Sequence, residues 1–143
     1  MALAWKPSSR LDLRSTYSFL DLDFRSGPGS TDTVTARIIE GSSARHQAGL
    51  QASYRLAQRW MLAGFLRYVG RLPRTATPTV TSGPTHVPSY AELGVRAAYR
   101  PWSSLELAVS GENLLARQHP EFGATASRTE VQRAVLLSST WLW

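Results

Sequence analysis

The sequence predicts an all-β chain, an antiparallel up-and-down meander of about six to seven strands that forms part of a transmembrane β-barrel. Three observations carry this. Apolar and polar residues alternate with period two, which places one side chain in every pair on the same face of an extended strand. The alternating runs are about 11–15 residues long, whereas strands of soluble proteins run about 5–6 and a tilted bilayer-crossing strand needs about 9–11. The connections alternate between short and long, as periplasmic turns and extracellular loops do in outer-membrane barrels.

The elements follow in order. Met1 to Trp5 reads as the stub of a seventh strand. The next run, near 10–24, alternates imperfectly. At 46–56, Ala48, Leu50, Ala52, Tyr54 and Leu56 share one face, and Gln47, Gln51 and Arg55 share the other. The run near 60–71 has apolar residues on both faces for part of its length. At 90–100, Ala91, Leu93, Val95, Ala97 and Tyr99 oppose Glu92, Arg96 and Arg100. Leu105, Leu107 and Val109 alternate with Glu106, Ala108 and Ser110 within 104–115. In the last run, 132–143, Val135, Leu137, Ser139, Trp141 and Trp143 form one face.

Lys6-Pro7-Ser8-Ser9, Ala57-Gln58-Arg59 and Pro101-Trp102-Ser103 are the short connections. The stretches 25–45, 72–89 and 116–131 are long and rich in Gly, Ser, Thr and Pro. The short turns resemble one another. Trp5-Lys6-Pro7 aligns with Tyr99-Arg100-Pro101, and Tyr54-Arg55-Leu56 is a looser copy. Aromatic rings at strand ends, on the lipid-facing parity, suit the headgroup level, where one side is apolar and the other wet. Tyr54, Trp60 and Tyr99, with Trp141 and Trp143, would form such a girdle; an aromatic β-sandwich core is the other reading of the same residues. On the polar parity, facing Arg and Glu could pair, so their charge reads as structural.

Composition narrows the function. A length of 143 residues suits one domain. No run of 18 apolar residues exists, so no helix is expected to cross a membrane. The absence of cysteine excludes a disulfide framework and thiol catalysis. Lys+Arg is 16 against Asp+Glu 10, and Lys6 is the sole lysine. The arginines are spread along the chain without a basic, aromatic-interleaved cluster, so no nucleic-acid partner is expected. Those in or beside the long connections, Arg25, Arg37, Arg45, Arg71, Arg74, Arg117 and Arg128, either hold lipopolysaccharide phosphates, attract anionic ligands or solvate a surface. Met1 to Lys6 has neither a basic n-region nor an apolar h-region of a signal peptide.

Val87-Pro88-Ser89-Tyr90-Ala91-Glu92-Leu93, Tyr99-Arg100-Pro101, the segment Ser110-Gly111-Glu112-Asn113-Leu114-Leu115, then His119-Pro120-Glu121-Phe122-Gly123 and the terminal Trp141-Leu142-Trp143 together resemble the C-terminal barrel strands of TonB-dependent outer-membrane receptors. The segment Gln47 to Pro73 fits the same family. The resemblance implies TonB-dependent uptake of a scarce ligand, such as iron–siderophore or cobalamin, across the bacterial cell outer membrane. It also implies a chain that is the C-terminal portion of a receptor, without plug domain or signal peptide, and unable to transport alone. Its implied partners are outer-membrane lipid and lipopolysaccharide, the barrel-assembly machinery, and the remaining barrel and plug. Leu137, Trp141 and Trp143 resemble the terminal-strand signal read by that machinery. A small stand-alone outer-membrane barrel or adhesin-like structural protein is the alternative, and a soluble sandwich that binds a partner is the third reading.

An enzyme is not expected. No GxSxG, P-loop or HExxH motif is present. Ser110, Asn113 and His119 have the residue types of a Ser-His-Asn site, but spacing alone does not make one. No cofactor or metal site is expected, since His46, His86 and His119 sit apart in what read as loops. His119, Glu121 and Phe122 are expected to pack a loop, and Asn113 to end a strand. No ligand-binding residue is identified.

Overall fold

A computed structural model describes residues 1–23, 25, 27–31, 40, 43–72, 86–121, 130–141 and 143. It is an antiparallel up-and-down sheet of seven strands in the order β1-β2-β3-β4-β5-β6-β9, with a two-stranded sheet, β7-β8, inserted before the last strand. The strands are β1 (Ala2–Ser8), β2 (Leu11–Phe19), β3 (His46–Ala57), β4 (Trp60–Val69), β5 (Tyr90–Trp102), β6 (Leu105–Glu112), β7 (Gln118–Pro120), β8 (Glu130–Gln132) and β9 (Ala134–Trp141). The sheet is not closed. Among the described residues, β1 and β9 are each paired on one side only.

Three expectations change. Four strands, β2, β4, β6 and β9, are shorter than their alternating runs, whereas β3 and β5 continue one and two residues past theirs into the short turns. The first run is not a stub but a full member of the sheet, pairing with β2 from Ala2↔Thr16 to Ser8↔Leu11. The long connections also carry structure. Leu72 and Val87 exchange backbone hydrogen bonds of 3.0 and 2.9 Å, and β7 pairs with β8 from Gln118↔Gln132 to Pro120↔Glu130. Three-residue strands fall below what alternation can reveal.

The repeated turn motif has a physical counterpart. Each short turn begins with a register irregularity that adds one residue to the incoming strand, between Trp5 and Ser8, Arg55 and Ala57, and Tyr99 and Trp102. Pro7 and Pro101 sit inside two of these bulges, where a residue without N–H removes nothing from the ladder. Adjacent turns are tied laterally. The Arg55 N–H donates to the Arg10 carbonyl and the Arg100 N–H to the Arg59 carbonyl, both at 2.8 Å.

The registers sort every side chain. One row across the sheet runs Leu13, Ala52, Gly64, Val95, Gly111, Val135, and the next Ser15, Leu50, Leu66, Leu93. These belong to an apolar face. The run at 60–71 is resolved as well, with Leu62, Leu66 and Tyr68 on this face and Met61, Phe65 and Arg67 on the other. No second protein layer covers the apolar face among the described residues. Leu50 and Val95 are each 45% exposed and Leu107 is 44% exposed. A buried cluster lies at the long-connection end, where Ala44, Val69, Leu72 and Val87 pack against Tyr90, and Ala98, Leu105 and Ala108 are buried toward the short turns.

Candidate functional site: two aromatic rows and an ion-paired polar face

The apolar face ends in aromatic rings at the short-turn end. Trp60 pairs with Tyr99, Trp141 with Leu105, and Tyr54 with Leu62 one rung inside. The Trp60 and Tyr99 rings stand 4.6 Å apart at 30°. Trp5 and Trp102 are exposed at the same end. A second row, absent from the sequence reading, lies at the long-connection end, where Tyr17 and Tyr68 flank Ala48 on the same face and Phe19 lies one step beyond Tyr17. Its signal was in the sequence, since all three share the apolar parity. Trp60 and Tyr68 are eight positions apart on one strand, about 27 Å along it and about 20 Å along the normal at a barrel's tilt. Outer-membrane barrels carry an apolar band of about 25 Å between two aromatic girdles.

The terminal strand β9 is a bare edge. Leu137 is 79% exposed on the apolar face, opposite Val109, and Trp141 closes the strand. Trp143 lies beyond the last pair and is fully exposed.

The opposite face carries the charges, and they pair across strands. Near the short turns, Glu106 accepts from Arg96 at 2.7 Å and from Arg100 at 2.8 Å. Lys6 reaches Asp12 at 3.1 Å. Near the long connections, Arg67 Nε donates to Glu92 at 3.1 Å, and the same guanidinium pairs with Glu121. The Tyr90 hydroxyl donates to Glu121 at 3.1 Å. Burial pushes the Glu121 carboxyl up, but the Arg67 hydrogen bond and charge, the Tyr90 hydroxyl and nearby His119 outweigh it and hold the carboxyl below its ordinary value. Cross-strand pairing of Arg and Glu was expected; the part played by Arg67 was not.

Asn113 and His119 come together and Ser110 does not join them. Asn113 follows β6 at φ +50°, ends the strand as expected, and is fully buried. Its Nδ2 donates to the Val131 carbonyl at 2.9 Å, and its Oδ1 lies 3.1 Å from His119 Nδ1. His119 stacks on Tyr90 with ring centroids 4.2 Å apart. Among the described residues, no hydrogen bond joins Ser110 to His119. His46 is not in a loop: it opens β3, hydrogen-bonds the Tyr17 hydroxyl at 2.8 Å and packs on Phe19. At the long-connection end, Arg25 pairs with Asp23 at 2.9 Å and Arg45 with Asp21 at 3.1 Å. Arg37, Arg74, Phe122, Gly123, Arg128 and Leu142 lie outside the described residues.

No protein-family model and no curated protein matches the sequence. Solved structures do match the fold. The ferric-catecholate import receptor Fiu from E. coli K12 superposes with a TM-score of 0.77 at 14% identity, over 98% of this chain and 20% of that one. The ferripyoverdine receptor of the outer membrane of Pseudomonas aeruginosa, bound to ferripyoverdine, gives 0.69 at 15% identity, over 96% of this chain and 18% of that one. The P. aeruginosa ferric enterobactin receptor PfeA gives 0.66 at 12% identity, over 96% and 20%. This chain thus spans about a fifth of the length of the receptors it matches. The likeness is one of fold, and it matches the open seven-stranded sheet to part of a β-barrel wall.

Proposed function

We propose that the chain is a wall section, at the C-terminal end, of a TonB-dependent outer-membrane receptor that takes up a scarce metal chelate of the siderophore class. The observation that carries this is the two-faced sheet. Its uncovered apolar face is bounded by Trp60, Tyr99 and Trp141 at one end and Tyr17, Phe19 and Tyr68 at the other. Its other face is polar and ion-paired, as a water-filled interior requires. Alone, the sheet leaves unpaired backbone groups on β1 and β9, each costing several kcal/mol in lipid, so it functions only when the rest of the barrel closes on those edges. Tyr54, Trp60, Tyr99 and the second row anchor at the headgroups. Leu137, Trp141 and Trp143 present the strand on which assembly machinery docks by β-augmentation.

The test is uptake by the whole reading frame that contains these residues. Expressed in a Gram-negative host lacking its own siderophore receptors, it should restore accumulation of radio-iron from one member of a ferric-siderophore panel, and deletion of tonB should abolish that. Accumulation independent of tonB, or a reading frame of 143 codons whose product localises as a closed oligomer, would favour the stand-alone barrel instead.

A further inference from the structure

His119 is 5% exposed and its two ring nitrogens have different surroundings. The Val131 carbonyl can only accept, so the facing atom of Asn113 is its amide nitrogen, and Asn113 Oδ1 is left as an acceptor. Nδ1 of His119 must therefore carry a hydrogen and donate it to Oδ1. The neutral ring then presents a bare lone pair at Nε2, which is buried, has no hydrogen-bond partner among the described residues and stands 3.8 Å from a Glu121 oxygen. A lone pair facing a carboxylate in a buried place calls for a positive centre between them. The arrangement behind it is the one that holds metal-ligating histidines: the far N–H fixed on a carbonyl oxygen and the ring clamped by stacking, here on Tyr90.

Glu92 completes the set. One donor atom each from Glu92, His119 and Glu121 lies within 4.8 Å of the other two. They come from β5 and from the His119-Pro120-Glu121 run, where alternation along β7 puts positions 119 and 121 on one side. We propose that these three residues bind a divalent first-row transition cation, with Arg67 as the exchangeable counter-charge that bridges Glu92 and Glu121 when no cation is bound. Two carboxylates and one imidazole carry two negative charges and suit Zn²⁺, Mn²⁺ or Fe²⁺; Ca²⁺ needs six or more oxygens. Arg67 is the group that must leave. Its side chain is 45% exposed, against 14% for Glu92, so it can swing into solvent without crossing protein. The carboxylates can then close to the bond lengths of about 2.0–2.2 Å that zinc requires. The site is independent of the uptake function above, since its ligands all come from this chain.

The measurement is calorimetric titration of ZnCl₂ into the untagged full chain, folded in detergent, with His46→Ala as the control for adventitious histidine binding. One saturable equivalent is expected, unchanged in His46→Ala. It should weaken by at least about tenfold in Glu121→Gln and in His119→Ala. It should tighten in Arg67→Ala, because the competing guanidinium is gone. Should His119→Ala not fold, Glu121→Gln and Arg67→Ala decide. No saturable binding, binding that survives in Glu121→Gln, or weaker binding in Arg67→Ala overturns the proposal.

Discussion

Glu121 shows how a single residue ties the long-connection end to the sheet. It accepts from Arg67 on β4 and Tyr90 on β5 while its neighbour His119 is pinned by Asn113. Glu121→Gln keeps the shape and loses the charge, and should cost about 1–3 kcal/mol in urea unfolding of the detergent-folded chain. The pH dependence has a definite sign. The folded carboxyl lies below its ordinary value, so its stabilisation is full above about pH 4.3, the unfolded value. It is lost as pH falls through the lower folded value. Glu121→Gln should therefore flatten the acid limb of the stability curve relative to the parent chain. Little of this was legible in the sequence. Glu121 was read as a loop anchor, which it is, but its partners lie 54 and 31 positions away. Only the strand registers bring them together, and no spacing rule reports that. Asn113 was read as a strand end; its buried amide, which also fixes the histidine tautomer, depends on Val131 in a three-residue strand.

At the scale of elements, the central hairpins and the edges differ in kind. β3, β4 and β5 are hydrogen-bonded on both sides, whereas β1 and β9 are bonded on one. Amide hydrogen exchange of the chain in detergent should thus be slowest along β3 to β5 and fastest along β1 and β9, since local opening costs least where half the ladder is missing. Equal protection of β1 and β9 with the centre would mean that copies pair edge to edge. This layer was the most legible one. Alternation with period two located six of the seven strands of the main sheet and left the first as a stub, because one face is apolar and a slip of one residue would invert it. The strand ends were less clear. The bulges at the short turns carry β1, β3 and β5 past the limits read from alternation, while at the long-connection end β2, β4 and β6 stop short of them.

For the whole molecule, the claim is that one face of the sheet meets acyl chains and the other meets water. A charge should therefore cost according to face rather than position along the strand. Val95→Lys, midway between the aromatic rows, should destabilise the chain in lipid by about 2–4 kcal/mol. Gln51→Lys at nearly the same depth on the polar face should be close to neutral. The difference is read from unfolding in phospholipid vesicles. The most direct measurement uses the absence of cysteine from the chain. Single cysteines placed in turn from Met61 to Tyr68 along β4 can carry a nitroxide in a reconstituted bilayer, with collision rates read for dissolved oxygen and for a water-soluble nickel chelate. Oxygen access should peak at 62, 64 and 66 and nickel access at 61, 63, 65 and 67, the two patterns out of step by one residue. Access that does not alternate, or oxygen and nickel peaking at the same positions, would contradict the two-faced wall.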